Sequence, residues 1–316
     1  MGDHPVFNYI FGPVLSSRLG SSLGVDLLGG NICSFDCLYC ESGKTQIKTV
    51  QRAAYVSQTK ILEELKAWFA QTSQKPDHIT LGGPGEPCLN SQLGRIISSI
   101  KKLWPDIPLA VLTNSSLLSN SQVCEELGQA DVVLPSLDSM VEGEFIKINR
   151  PHPDIRLEDI VRGLLNFKAG YAGKIFLEVL LLPGINDSEE NFRRLRQFQN
   201  QLRPDRVDIS VMSRPGAYVK MSVVNKLCLE RWRREFNTIT TQRSKSEHGA
   251  KIDESRLRDI VGASVKRRPQ TPEQLSAALG ADLEDILSML RLMEQAGEVE
   301  AAAQNENAQK FYIKRG

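Results

Sequence analysis

Three cysteines stand within eight residues in NICSFDCLYCESG, where Cys33, Cys37 and Cys40 are spaced C-x3-C-x2-C. Thiolates are soft ligands, so three on so short a loop can wrap one compact metal centre if the backbone turns tightly around it. An iron–sulfur cube takes cysteine thiolates and holds four irons. Three cysteines would leave one iron open to a small molecule. A structural zinc needs a fourth ligand, and no further cysteine or histidine lies nearby at zinc-finger spacing. Three ordinary thiols are the remaining reading. Cys88, Cys124 and Cys228 are isolated and read as core or surface thiols, Cys88 being the one to test as a redox or substrate contact. The four histidines, at 4, 78, 152 and 248, form no ligand pattern.

A second set of residues surrounds these in sequence. In TLGGPGEP (80–87), Gly82, Gly83 and Gly85 let backbone groups approach a ligand closely, and Pro84 and Pro87 stop the strand from continuing. Asn114 ends a strand at TNSS and reads either as a ligand-facing amide or as a turn stabiliser. Ser136 and Asp138 alternate with Leu137, so both can share one face, as contacts to a ligand or as a capped strand end. Arg150 offers a planar fork to a carboxylate, or a structural salt bridge. Arg214 reads as a mouth residue or a turn residue, and the sequence does not choose.

The elements that position them follow from periodicity. Ile61, Leu62, Leu65, Trp68 and Phe69 recur at helical spacing before HITLGG (78–83), a buried strand. Helices at 93–103, 122–127, 157–169 and 189–202 precede strands at 109–114, 130–138, 174–182 and 206–212, and a last helix covers roughly 226–240. With LGVDLL (23–28) as the opening strand, this makes six strands linked by helices, a pattern that favours a parallel sheet with right-handed crossovers. The polar stretch QRSKSEHGAK resembles a linker. Beyond it stand three helical segments, the second opened by Thr271-Pro272 and the third ended by Gly297, and then a two-stranded ribbon. That order resembles a winged helix. The expected division is a barrel over 1–241, a linker over 242–256 and a winged-helix-like domain over 257–316.

Charge is uneven although the net is +1. Residues 1–192 carry 16 Lys and Arg against 22 Asp and Glu, a balance of −6, while residues 193–260 carry 16 against 8, a balance of +8. The middle segment is therefore a candidate surface for an anionic partner, or a set of solvated helix faces. Neither a signal peptide nor an apolar run of membrane-spanning length is seen, so the cytoplasm is the expected compartment and no membrane partner is expected.

The cysteine spacing, with Tyr39 between the last two cysteines, resembles the radical S-adenosylmethionine (SAM) superfamily. More narrowly, FGPVLSSRLGSSLGVDL (11–27), GPGEP, VLTNSSLL (111–118), SLD (136–138), INRPHP (148–153) and LPGIND (182–187) look like its wyosine-synthetase-like branch. The resemblance implies an α/β fold, a partial (β/α)6 barrel with a [4Fe–4S] cluster on Cys33, Cys37 and Cys40 at its mouth. It implies that backbone around Gly82, Gly83 and Gly85, with Glu86, meets the methionyl amino group of SAM. Asn114, Ser136, Asp138 and Arg150 would contact SAM, with Tyr39 beside the centre and Leu182 and Pro183 flanking the adenine. An external one-electron reductant of flavodoxin or ferredoxin type would drive reductive cleavage of SAM to a 5′-deoxyadenosyl radical that abstracts hydrogen. The expected substrate is RNA, tRNA first. The alternatives are a peptide, protein or small metabolite, or else a SAM- or redox-sensing cluster protein whose winged helix binds DNA. No cysteine precedes Cys33, so the second cluster of the wyosine synthetases themselves is not expected here.

Overall fold

The structure is a computed structural model, and it describes residues 7–16, 18–72, 75–219, 224–238, 254–267, 269–304 and 310–315. Strand β1 (Ile10–Ser16) runs antiparallel to β2 (Gly20–Val25), and a separate parallel ribbon of β3 (Ile32–Cys33) and β4 (Ile47–Lys48) follows. The chain then alternates through α1 (Gln58–Gln71), β5 (His78–Leu81), α2 (Leu93–Leu103), β6 (Leu109–Thr113), α3 (Ser121–Leu127) and β7 (Val132–Pro135). It continues through α4 (Glu142–Asn149), α5 (Leu157–Gly170), β8 (Lys174–Leu181), α6 (Glu189–Leu202), β9 (Arg206–Val211) and α7 (Lys226–Glu235). The large sheet has the order β1-β2-β5-β6-β7-β8-β9, and every neighbouring pair after the first is parallel.

Sequential parallel strands lie side by side, so each crossover returns the chain to the same end of the sheet. The strands' carboxyl ends therefore converge, and loops leaving them share one rim. Strand β8 shows the layering. Ile175, Leu177, Val179 and Leu181 are buried in the main core with α2, α5 and α6 residues such as Ile97, Leu164 and Leu195. The intervening Phe176 instead joins Leu19, Ala110, Val132 and Leu134 in a small cluster on the opposite face. Helix α5 sits close to the loop after β6, because a Cβ on Gly163 would meet the Leu118 carbonyl carbon at 2.7 Å.

A second unit follows, formed by α8 (Glu254–Arg267), α9 (Pro272–Leu279), α10 (Leu283–Gln295), β10 (Val299–Gln304) and β11 (Lys310–Lys314). It has its own core, including Leu257, Val261, Leu275, Ile286, Leu290 and Tyr312. Thr271 caps α9 through a reciprocal capping box with Gln274. Helices α8 and α9 pack against β1, so this unit lies along the free edge of the sheet. Most of the expected linker, 242–253, lies outside the described residues, and α8 begins within its last three positions.

Besides the short β3–β4 ribbon, strand β1 and helix α4 are present without having been expected from the sequence. Strand β1 contains Gly12-Pro13 and lacks the two-residue alternation of a strand, so its pairing with β2 supplies what local propensity does not. Helix α4 has eight residues, and its N-cap Val141 makes no side-chain capping bond. The opening strand also starts earlier than expected, at Gly20, and β7 ends at Pro135, before Ser136. Among the described residues no helix is long and apolar enough to cross a membrane.

Candidate functional site

The cysteine loop is stitched to the rim by backbone bonds. Asp36 N donates to Asn149 O (3.1 Å), Leu38 N to Ile148 O (2.9 Å), His152 N to Ser34 O (2.8 Å) and Thr49 N to Cys33 O (2.9 Å). Within it, the Asn31 amide donates to the carbonyls of Ser42, Gly43 and Lys44 at 3.0–3.2 Å. Asp36 accepts from Thr45 N and the Tyr218 hydroxyl, and pairs with Arg150 at 3.2 Å. Those donors and the cation hold its carboxyl below the usual range, against the opposing effect of burial.

The glycine-rich turn lies directly against this loop. Gly85 forms a bridge to Ile32 with φ of 96°, and an added Cβ would stand 2.0 Å from the Ile32 carbonyl oxygen. Only glycine permits that approach, and Glu86 N then donates to Ile32 O at 3.0 Å. The Glu86 side chain turns inward and is buried. Its oxygens accept from Cys88 N (3.0 Å), the Thr113 hydroxyl (2.8 Å) and Asn114 N (2.6 Å). Burial raises its pKa, and those three donors oppose the rise. Glu86 thus ties the turn after β5 to the end of β6.

The three thiols are half-buried and free. Burial raises all three pKa values, Cys33 to about 12 with the Glu86 charge adding to the effect. Amides face two of the sulfurs. Cys33 Sγ receives Phe35 N at 3.4 Å and Asn114 Nδ2 at 3.5 Å, and Cys37 Sγ receives Asn149 Nδ2 at 3.5 Å. Among the described residues no three His, Cys, Asp or Glu side chains gather tightly enough to hold a single ion. Three thiols on one clamped loop, with N–H donors aimed at sulfur, do suit a multinuclear iron–sulfur centre, whose ligand sulfurs bind different irons.

Beside the thiols lies a cavity of about 40 Å³ lined by Tyr39, Asn114, Ser136, Asp138 and Asn149 together with Phe35, Phe145 and other apolar groups. Four residues singled out in the sequence therefore meet. Asp138 is the hub: it accepts from the Tyr39 hydroxyl, Asn149 Nδ2 (2.7 Å) and Leu180 N (2.8 Å). Burial raises its pKa against these donors. Its carbonyl accepts from Asn186 and Asn191, and Asn186 also binds Leu180 O and Leu182 N. Asn149, Asn186 and Asn191 were not singled out in the sequence, although Asn149 and Asn186 stand inside INRPHP and LPGIND.

Other expected residues lie apart from the cavity. Arg150 takes the structural alternative, pairing with Asp36 and lying 4.3 Å over the Tyr218 ring. Leu182 is buried with Ile148 and Met212, against Leu38 and Tyr39. Arg214 pairs with Glu41 (3.0 Å), next to Cys40, and donates to Gln274 of α9 (3.1 Å). Cys88 is fully buried, with its sulfur 3.5 Å from the Thr113 hydroxyl, which leaves it no access to solution reagents. Arg18 pairs with Glu178 on the face of β8 opposite the main core, a contact not anticipated from sequence.

The Glu86 geometry generates a test. Glu86→Gln places an NH2 where a carboxylate oxygen accepts a buried donor, so one donor loses its partner. Melting of the metal-free variant should fall, equivalent to about 1–3 kcal/mol. An unchanged melting curve would contradict the assigned bonds.

Known proteins can be set against this geometry. The family model described as Radical SAM superfamily matches residues 27–195, more than half of the chain. A UPF0026 protein from Synechocystis sp. is 37% identical over 210 residues, covering 66% of this chain and 77% of that relative. A Brachyspira hyodysenteriae protein named GTPase Obg is 32% identical over 295 residues, which is 92% of this chain and only 43% of that protein's length. Among solved structures, Streptococcus suis SuiB bound to precursor peptide SuiA superposes with a TM-score of 0.51 at 14% identity, over 67% of this chain and 44% of SuiB. That likeness is one of fold. By that family match the chain belongs to the radical SAM superfamily, whose enzymes use a [4Fe–4S] cluster and SAM, and the clamped cysteine loop agrees with it.

Proposed function

We propose that Cys33, Cys37 and Cys40 ligate a [4Fe–4S] cluster, with the fourth iron left for SAM, and that the chain performs radical chemistry on a substrate held at the carboxyl ends of the strands. The observation that carries this is one loop presenting three thiols, with amides from Phe35, Asn114 and Asn149 aimed at two sulfurs. When bound, the cluster and SAM supply a one-electron cleavage of the sulfonium to methionine and a 5′-deoxyadenosyl radical that takes hydrogen from substrate.

The chain's own residues do the rest. Asn114 and Asn149 donate to sulfur and so tune the centre's potential. Gly82, Gly83 and Gly85 keep the turn's backbone bare for the methionyl amino group, while Glu86 fixes that turn from below. Asp138 holds Tyr39 beside the loop and leaves Ser136 at the cavity for ribose or carboxylate contact. Leu182 and Pro183 give the adenine an apolar wall. Arg150 meets the SAM carboxylate only by exchanging it for Asp36. Residues 1–241 act as the barrel unit and 257–316 as a winged-helix-like unit along its edge.

The resemblance to the wyosine-synthetase-like branch favours RNA as substrate. The side chains of the +8 segment favour a peptide, protein or small metabolite. Arg194 pairs with Glu190 (2.6 Å), Arg196 donates to Gln199 (2.9 Å), Arg233 to Ile209 O (3.2 Å), and Arg234 lies 3.5 Å from Glu235. Arg206 and Arg231 are likewise paired, with Asp208 and Glu189. Arg194, Arg206, Arg231 and Arg234 thus already face a carboxylate, and cations so paired release fewer counterions on meeting phosphate, while Arg196 and Arg233 meet only neutral acceptors. We therefore place the substrate in the second class.

Two measurements test these readings. Anaerobic reconstitution should load about four irons and four sulfides per chain. Dithionite and SAM should then yield 5′-deoxyadenosine without any substrate. Cys33→Ala/Cys37→Ala/Cys40→Ala should lose both properties and Cys88→Ala/Cys124→Ala/Cys228→Ala should keep them; the reverse pattern would sink the ligand assignment. Bulk tRNA should bind weakly with a shallow salt dependence, unaltered in Arg233→Glu/Arg234→Glu. A log–log slope of about −0.7 to −0.9 per phosphate, summed over several phosphates and lost in that variant, would restore the RNA reading.

A further inference from the structure

The face of the sheet opposite the main core carries charged side chains that the cofactor site leaves unused. Val179 and Leu181 of β8 and Val207 and Ile209 of β9 point into the core, or along its wall, so Glu178 and Asp208 point the other way. These two acids are direct neighbours in the β8–β9 register. Arg18, from the turn between β1 and β2, reaches Glu178 through Nη1. Arg206 gives both Nε (3.0 Å) and Nη2 (2.8 Å) to one oxygen of Asp208, and donates to the Arg18 carbonyl at 3.2 Å. Leu112 and Leu180, in the interior strands β6 and β8, are only half-buried on this face, which leaves it open beyond the apolar cluster of Leu19, Ala110, Val132 and Leu134. Glu178 also bridges to Ser136, and its carbonyl accepts from Leu137 N (3.0 Å), so it lies level with the cavity beside the cysteine loop.

Three of these four charged groups are only partly used. One oxygen of Glu178 meets Arg18 and one of Asp208 meets Arg206, and the second oxygen of each accepts from no donor among the described residues. Arg18 likewise keeps its Nε–Nη2 edge without an acceptor among the described residues, and its side chain is 37% exposed. Two acids side by side on one sheet face repel each other. Burial raises the Glu178 pKa, Arg18 opposes the rise and Asp208 adds to it.

We infer that Arg18, Glu178 and Asp208 anchor the α-amino acid group of a free amino acid, its carboxylate on the Nε–Nη2 edge of Arg18 and its ammonium on the open oxygens of Glu178 and Asp208. The inference rests on the radical SAM reading above and narrows its second substrate class to a small zwitterionic metabolite. A guanidinium edge takes a carboxylate through two parallel bonds, and an ammonium has three donors to share between adjacent carboxylates. The charges of Arg18, Arg206, Glu178 and Asp208 sum to zero. A zwitterion keeps that balance, whereas a simple amine or a simple acid leaves one charge unmatched in a part-buried site. An internal residue of a peptide carries neither α-charge.

The test uses the full chain, anaerobically reconstituted and saturated with SAM, so that the methionyl site is already filled. Equilibrium dialysis measures binding of each proteinogenic L-amino acid in turn. At least one should bind saturably. The matching amine without the carboxylate, and the matching acid without the amino group, should each bind about tenfold more weakly or worse, having lost one set of charge-assisted bonds. Arg18→Gln should bring the amino acid down to the affinity of the amine, and Glu178→Gln/Asp208→Asn down to that of the acid. The three-ligand comparison on the unsubstituted protein decides the matter even where a variant fails to fold. No amino acid binding, an amine or acid that binds as tightly as the amino acid, or undiminished binding by folded variants would each overturn the inference. So would a loss of SAM from the variants in step with the amino acid, because the group would then be a SAM contact. Failure of the unsubstituted protein to load iron or cleave SAM would count against the cluster assignment instead, and it is visible before any amino acid is added.

Discussion

The contact on which the site depends is between two backbones, the Gly85 turn and the Ile32 carbonyl one residue before Cys33. With 2.0 Å between that oxygen and a would-be Cβ, the turn after β5 and the cysteine loop touch with nothing between them. The bridge fixes where β3 ends, and β3 carries the first cysteine. Everything on the rim is referenced to it. The Glu86 carboxylate ties the same turn to Thr113 and Asn114, and Asn114 reaches back to Cys33 and Ser34. The loop, the turn and the end of β6 thus form one closed circuit of bonds.

A second circuit holds the other side of the loop. Asp138 receives Tyr39 and Asn149, and Asn186 and Asn191 receive no freedom of their own because both are tied to the Asp138 carbonyl. A buried carboxylate is costly unless its lone pairs are met, and here three donors meet them. The arrangement positions Tyr39 and the Asn149 amide rather than offering a free acid. Together the two circuits leave the thiols in a fixed, half-buried loop. Preorganisation of that kind keeps the reacting groups in place while a cofactor and a substrate come and go.

Much of this was legible in the sequence, and the reasons are physical. Helices α2 and α6 matched their expected bounds because apolar residues recur at helical spacing, and α6 also has Ser188 to cap it. The cysteine triad and the glycine turn could be read because few residue types can do what those positions require. The role of Gly85 was only half legible: a bare backbone was expected to serve a ligand, and it first serves Ile32. Glu86 and Arg150 show the limit more sharply. A charged residue's partner depends on what the fold brings to it, and neither Thr113 nor Asp36 stands near in sequence. Strand β1 and helix α4 were not legible because their stability comes from pairing and packing, not local pattern. The carboxylate partners of Arg194 in α6 and of Arg231 and Arg234 in α7 are set by the fold in the same way.

The proposed centre is a cubane on this loop with one iron open to SAM. Electron paramagnetic resonance of the reconstituted, dithionite-reduced protein, recorded with and without SAM, tests it most directly. The reduced protein should give the signal of one [4Fe–4S] cluster per chain, with a line shape that changes as SAM is titrated to saturation. A reduced cluster whose spectrum is indifferent to SAM would contradict it, as would a signal that survives replacement of all three loop cysteines.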